Sequence, residues 1–132
     1  MYLFGAVNPL TGDSSALLAP LANTDYMNHH LRFISEQAGP EVQVILVLDR
    51  AGWHLSKALR VPENITLFHL PAYSPELNPA ERLWAFLRSH SLSNRVYRDY
   101  NDLFQACGVA WNQLTREQLR SICRAEWMPR TN

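Results

Sequence analysis

A chain of 132 residues and 15.2 kDa amounts to one domain. With 47% hydrophobic and 18% charged residues, it carries enough apolar side chain for a core and too little charge for a disordered segment. Twelve Lys and Arg balance twelve Asp and Glu, which excludes a strongly basic nucleic-acid module acting through its bulk field.

Tyr2 to Val7 is short, aromatic and β-branched, the composition of a strand. The turn-forming cluster from Asn8 to Asp13 follows, and Ser15 to Ala19 can return as its antiparallel partner. Thr24 caps a helix to Ala38, with Tyr26, Met27, Leu31, Phe33 and Ile34 as an imperfect apolar stripe, and Gly39-Pro40 stops it. Val42 to Leu48 is nearly all apolar, the pattern of a strand buried on both faces, and it ends abruptly at Asp49. A short helix is expected over Trp53 to Leu59 and a second buried strand over Ile65 to Leu70. Pro71, Pro75 and Pro79 punctuate a loop, and helices follow over Ala80 to Arg88, Asp99 to Leu114 and Glu117 to Arg124. The order predicts an α/β layered domain whose later strands run parallel. No apolar run approaches the length of a membrane span, and the N-terminus has no basic segment of a secretion signal. Cys107 and Cys123 have no metal-binding spacing and read as reduced, buried thiols of a cytoplasmic protein.

Two acids stand out by position. Asp49 closes a buried strand, where open α/β sheets place functional groups, although by itself it serves equally as a cap of the next helix. Glu81 falls at the third helical position after Asn78 and Pro79, an arrangement that suits a capping box. If the intervening strands are adjacent and parallel, both carboxylates emerge at one sheet edge. They then offer the hard oxygen ligands that Mg²⁺ requires.

The segments Leu48 to His54 (LDRAGWH) and Leu70 to Trp84 (LPAYSPELNPAERLW) resemble two hallmark stretches of bacterial insertion-sequence transposases of the mariner-related DDE superfamily. The resemblance runs from about Tyr2 to Trp127. It implies a ribonuclease-H-like mixed sheet flanked by helices, and an Asp-Asp-Glu triad holding two Mg²⁺ or Mn²⁺ ions for cleavage and transfer of DNA strands. Asp49 matches the second Asp and Glu81 the closing Glu, as catalytic and metal-binding residues. Arg50 stands where many relatives have Asn or Gly. The strand bearing the first Asp would precede Tyr2, and Asp13 and Asp25 do not replace it. The expectation is therefore a single partial catalytic domain over residues 1–132. It lacks the first, central strand and the N-terminal helix-turn-helix region, and it is inactive alone. Such a chain could be a decayed copy, a truncated product, or the downstream half of a split one.

Arg82, Arg88, Arg95 and Arg98 form an acid-free basic stretch between positions 82 and 98, which could follow a DNA backbone past the metals or be merely a solvated face. His54 and Asn78 are expected to support the acids from behind. His29, His30, His69 and His90 lack zinc-ligand spacing. A hydrolase triad of Asp49, His54 and Ser74 fails for want of a Gly-x-Ser-x-Gly elbow. Trp84, Phe86 and Leu87 read as core packing. The expected partners are DNA at transposon ends, an upstream transposase segment or a second copy, with no membrane and no small-molecule cofactor. The expected location is the bacterial cytoplasm, on the nucleoid. The competing expectation is a non-catalytic remnant that binds DNA or intact transposase as a modulator.

Overall fold

Two strands joined by a tight turn open the chain, and a helix, two parallel strands and three further helices follow. The computed structural model describes residues 2–49, 57–71, 77–92 and 96–124. The elements are β1 (Tyr2–Val7), β2 (Ser14–Ala19), α1 (Thr24–Ala38), β3 (Val44–Leu48), β4 (Ile65–His69), α2 (Ala80–His90), α3 (Tyr100–Asn112) and α4 (Arg116–Cys123). This is the expected mixed α/β class. The chain divides into two compact units, one of residues 1–4 and 19–78, the other of residues 5–18 and 79–132.

In the first unit, α1 is capped by Asn23 and not by Thr24, because the Asn23 carboxamide oxygen accepts the Tyr26 N–H at 3.0 Å. Met27, His30, Leu31 and Ile34 are its buried face, with the His30 ring 5.9 Å from that of Phe4. Phe33, expected in the stripe, is 44% exposed. The helix ends at Gly39, whose φ of 88° suits a residue without a Cβ and whose N–H returns to the Ser35 carbonyl. Asn64 holds this end in place. Its buried carboxamide donates to the carbonyls of Ser35 (3.3 Å) and Gly39 (3.0 Å) and accepts the Ser35 hydroxyl (2.5 Å).

β3 and β4 pair in parallel, Val44 beside Ile65 through to Leu48 beside His69. Side chains alternate, so Leu48 and Ile65 share the covered face, at 6% and 4% exposure. Ile45 and Phe68 lie on the other, 72% and 58% exposed. The expectation of strands buried on both faces is thus corrected. Among the described residues this sheet has two strands, and one of its faces is covered. β1 and β2 form a separate two-stranded sheet, so the strands do not join in one mixed sheet among the described residues. The helix expected over Trp53 to Leu59 falls mostly outside the described residues, and Lys57 and Ala58 form a turn.

The second unit holds most of the hairpin together with α2, α3 and α4. The loop of residues 8–13 is too short for a crossover, so β1 and β2 run antiparallel. Asn8 organises it, accepting the N–H groups of Leu10 (3.0 Å) and Thr11 (3.3 Å) on its side chain and that of Gly12 (2.8 Å) on its carbonyl. Gly12 has φ 79° and lies so close to the Arg116 backbone that a Cβ would collide with it. Asp13 pairs with Arg116 at 3.0 Å. Asp99 caps α3 through the Asp102 N–H, and Thr115 with Gln118 forms a capping box at α4. Leu83, Leu87, Leu119 and Cys123 are buried on α2 and α4, and the Trp84 and Trp111 rings lie 6.0 Å apart. Among the described residues, no helix is long and apolar enough to cross a membrane.

Candidate functional site at the carboxyl edge of the parallel strands

The Leu70 N–H donates to the Leu48 carbonyl at 2.8 Å, which extends the β3–β4 ladder one step beyond the last strand residue. Because the strands are parallel and in register, Asp49 and the segment leaving β4 depart from the same edge. The Asp49 side chain is exposed there. The sheet explains its position: the apolar run before it is consumed by the ladder, and the first charged residue falls where the strand ends. His69, set aside when weighed as a zinc ligand, lies across from Leu48 and so reaches the same edge. The strand register carries that signal, and pairing two apolar runs of equal length would have found it.

Glu81 stands in the first turn of α2 and is exposed. The helix begins at Ala80 as expected, and its cap is Pro79 in place of Asn78. Pro79 occupies the cap position with helical angles (φ −61°, ψ −21°) and no side-chain cap bond, and its carbonyl accepts the Arg82 N–H at 3.1 Å. A proline ring fixes φ near this value, so the first turn is rigid whichever residue is called the cap. A carboxylate there complements the helix dipole and is held in a fixed direction. Asn78 is half-buried just ahead of it. Asp49 belongs to the first unit and Glu81 to the second.

The arginines expected along a DNA backbone differ in what they do. Arg82 donates from its guanidinium to the Arg124 carbonyl at the end of α4. It also partly offsets the burial that pushes the Cys123 thiol above its ordinary value. Arg98 pairs with Asp102 at 3.7 Å while its own N–H donates to the same carboxylate at 3.1 Å. Arg88 is exposed in the last turn of α2. Arg95 and His54 lie outside the described residues, as do Arg50 and Ser74.

Carboxylate oxygens are the donors that a hard divalent ion takes, and Asp49 and Glu81 each present one on a rigid, exposed support. No group of three or more His, Cys, Asp or Glu side chains that could hold a metal ion occurs among the described residues.

Comparison with known proteins finds relatives over most of the chain. The protein y4pE/y4sA of Sinorhizobium fredii, described as uncharacterized, is 43% identical over 132 residues, covering 98% of both chains. The Transposable element Tc3 transposase of Caenorhabditis elegans is 36% identical over 81 residues, which span 58% of this chain and 25% of that protein. No solved structure matches significantly. The family described as DDE superfamily endonuclease matches residues 1–104, and the chain therefore belongs to the DDE superfamily of endonucleases.

Proposed function

We propose that this chain is the catalytic-domain part of a DNA transposase, in which Asp49 and Glu81 are two of the three carboxylates that hold divalent ions. The observation that carries the reading is the exposed Asp49 at the carboxyl edge of the parallel β3–β4 pair, followed in sequence by Glu81 in a rigid first helical turn. Bound Mg²⁺ or Mn²⁺ would activate the attacking oxygen and stabilise the leaving one in an in-line phosphodiester displacement. The residues themselves supply anionic oxygen ligands, and Arg88 offers a phosphate contact beyond Glu81 on the same helix. Arg82 positions α2 against the end of α4, and Arg98 works through its pair with Asp102. Arg95 is a phosphate contact by its place in the acid-free basic stretch, and His54 and Asn78 support the acids.

The resemblance matches no residue of this chain to the third carboxylate. We infer that the missing strand is supplied by a longer transposase polypeptide or a partner chain, and that the chain of 132 residues has little activity alone.

The test is nicking of supercoiled DNA with Mg²⁺, with and without a co-expressed segment carrying an Asp-bearing strand. The expected result is cleavage only with the segment, abolished by Asp49→Ala or by Glu81→Ala. DNA binding that persists in both variants, with no cleavage under any combination, would replace this reading with that of a non-catalytic modulator.

A further inference from the structure

Asn28 fastens a turn carrying two cations to the outside of α1. Its carboxamide oxygen accepts the Arg60 N–H at 2.6 Å, and its nitrogen donates to the Ala58 carbonyl at 3.2 Å. These partners are thirty-two and thirty residues away in sequence. Lys57 and Arg60 are thereby held beside the second turn of α1. Arg32 stands one turn further along the helix, exposed, with its guanidinium donating to His29 Nδ1 at 2.5 Å. An imidazole that accepts at Nδ1 keeps its proton on Nε2, a further donor. Arg32, Lys57 and Arg60 are all of the Lys and Arg among the described residues of the first unit.

Among the described residues no direct ion pair engages the cations of this cluster, although Asp25, Glu36, Glu41, Asp49 and Glu63 belong to the same unit. Arg98 and Arg116 in the other unit are each paired with an aspartate. Lys57 and Arg60 form no ion pair among the described residues, and the only side-chain partner of Arg32 there is the His29 ring. Asp25 and Glu36 lie on α1 a turn before Asn28 and a turn beyond Arg32, and Glu63 follows Arg60, but none of them pairs with these cations. Exposed cations left without carboxylates on a prebuilt support suit an anion from outside. Phosphates spaced along a strand suit several such groups set along a helix and its adjoining turn.

We propose that His29, Arg32, Lys57 and Arg60 form a phosphate-contact surface for the backbone of duplex DNA. It is distinct from the Arg82–Arg98 stretch and is built by Asn28. The proposal rests on the reading of DNA as the partner. The contact is independent of sequence and adds affinity without touching the acids.

The experiment measures binding of the full chain to a short random-sequence DNA duplex by fluorescence anisotropy over a range of salt concentrations. It compares the parent with the triple variant Arg32→Ala/Lys57→Ala/Arg60→Ala, whose folding is checked by circular dichroism. Each lost phosphate contact lowers the slope of log affinity against log salt by about 0.9, so a fall of about 2 to 3 is expected. If the parent binds and the triple variant keeps the same slope, this surface is overturned while the DNA reading stands. If the parent does not bind the duplex at all, the DNA reading fails and this surface with it. Should the triple variant not fold, Lys57→Glu on the exposed turn replaces it. Weakening of several-fold at low salt is then expected, and unchanged affinity overturns the proposal.

Discussion

The guanidinium of Arg82 donates to the carbonyl of Arg124, tying the first turn of α2 to the end of α4. A carbonyl at a helix end has no partner within its own helix, and a cation that supplies one also meets the negative end of the dipole. Arg82 and Arg88, which sequence groups together, should therefore separate on substitution. Arg82→Ala is expected to lower stability by about 1 kcal/mol, read from denaturant midpoints. Arg88→Ala should leave stability unchanged and reduce the salt slope of DNA binding by about 0.9. Equal effects of the two changes on stability would contradict the assignment.

Gly5 permits a close approach of two aromatic rings in the second unit. A Cβ there would stand 2.7 Å from Trp84 Cη2 and 2.8 Å from Trp111 Cη2, the tips of two large rings. Gly5→Ala should cost about 1–3 kcal/mol through overpacking, seen as a lower melting temperature. An alanine tolerated without loss would mean that the two rings can move apart.

Asn64 is 6% exposed and serves two carbonyls and a hydroxyl at the turn from α1. Asn64→Ala leaves these half-buried groups without that partner, so a loss of about 1–3 kcal/mol is expected. Asn64→Asp keeps the acceptor, loses both donated bonds and adds a charge, and should not restore stability. Recovery by Asp would show that only the Ser35 hydroxyl bond matters.

Burial raises the thiols of Cys107 and Cys123 above their ordinary value of 9.0, with Arg82 partly lowering Cys123. The unfolded chain ionises these thiols near the ordinary value, while the folded chain keeps them protonated. Their contribution to stability is therefore whole below about pH 9 and is lost as pH rises through the folded values. Denaturant midpoints should fall more steeply above about pH 9 in the parent than in a Cys107→Ala/Cys123→Ala variant compared with itself. Parallel curves would remove the thiols as the cause. Both cysteines should also react slowly with alkylating reagents until the chain unfolds.

Much of the architecture was legible before any coordinates. The apolar runs ending at Leu48 and near His69, the Gly39 stop and the Pro79 helix start are local signals, and each sits within a residue or two of its expected place. Asp49 and Glu81 were legible for the same reason. A strand end and a helix start are marked by residues adjacent in the chain, and the surrounding wording carried the family resemblance. What sequence misjudged is the solvent exposure of Ile45 and Phe68, because an apolar run records what a strand can bury and not whether both faces are covered. The Asn28 support, the Asn64 clamp and the Arg82 tie were invisible for a second reason. Each joins groups between twenty-five and forty-two residues apart, and no local period encodes which distant carbonyl a polar side chain will meet. Local propensity and periodicity thus determined the elements and the two acids. Only tertiary packing decided which charges are committed to the fold and which remain open to a partner.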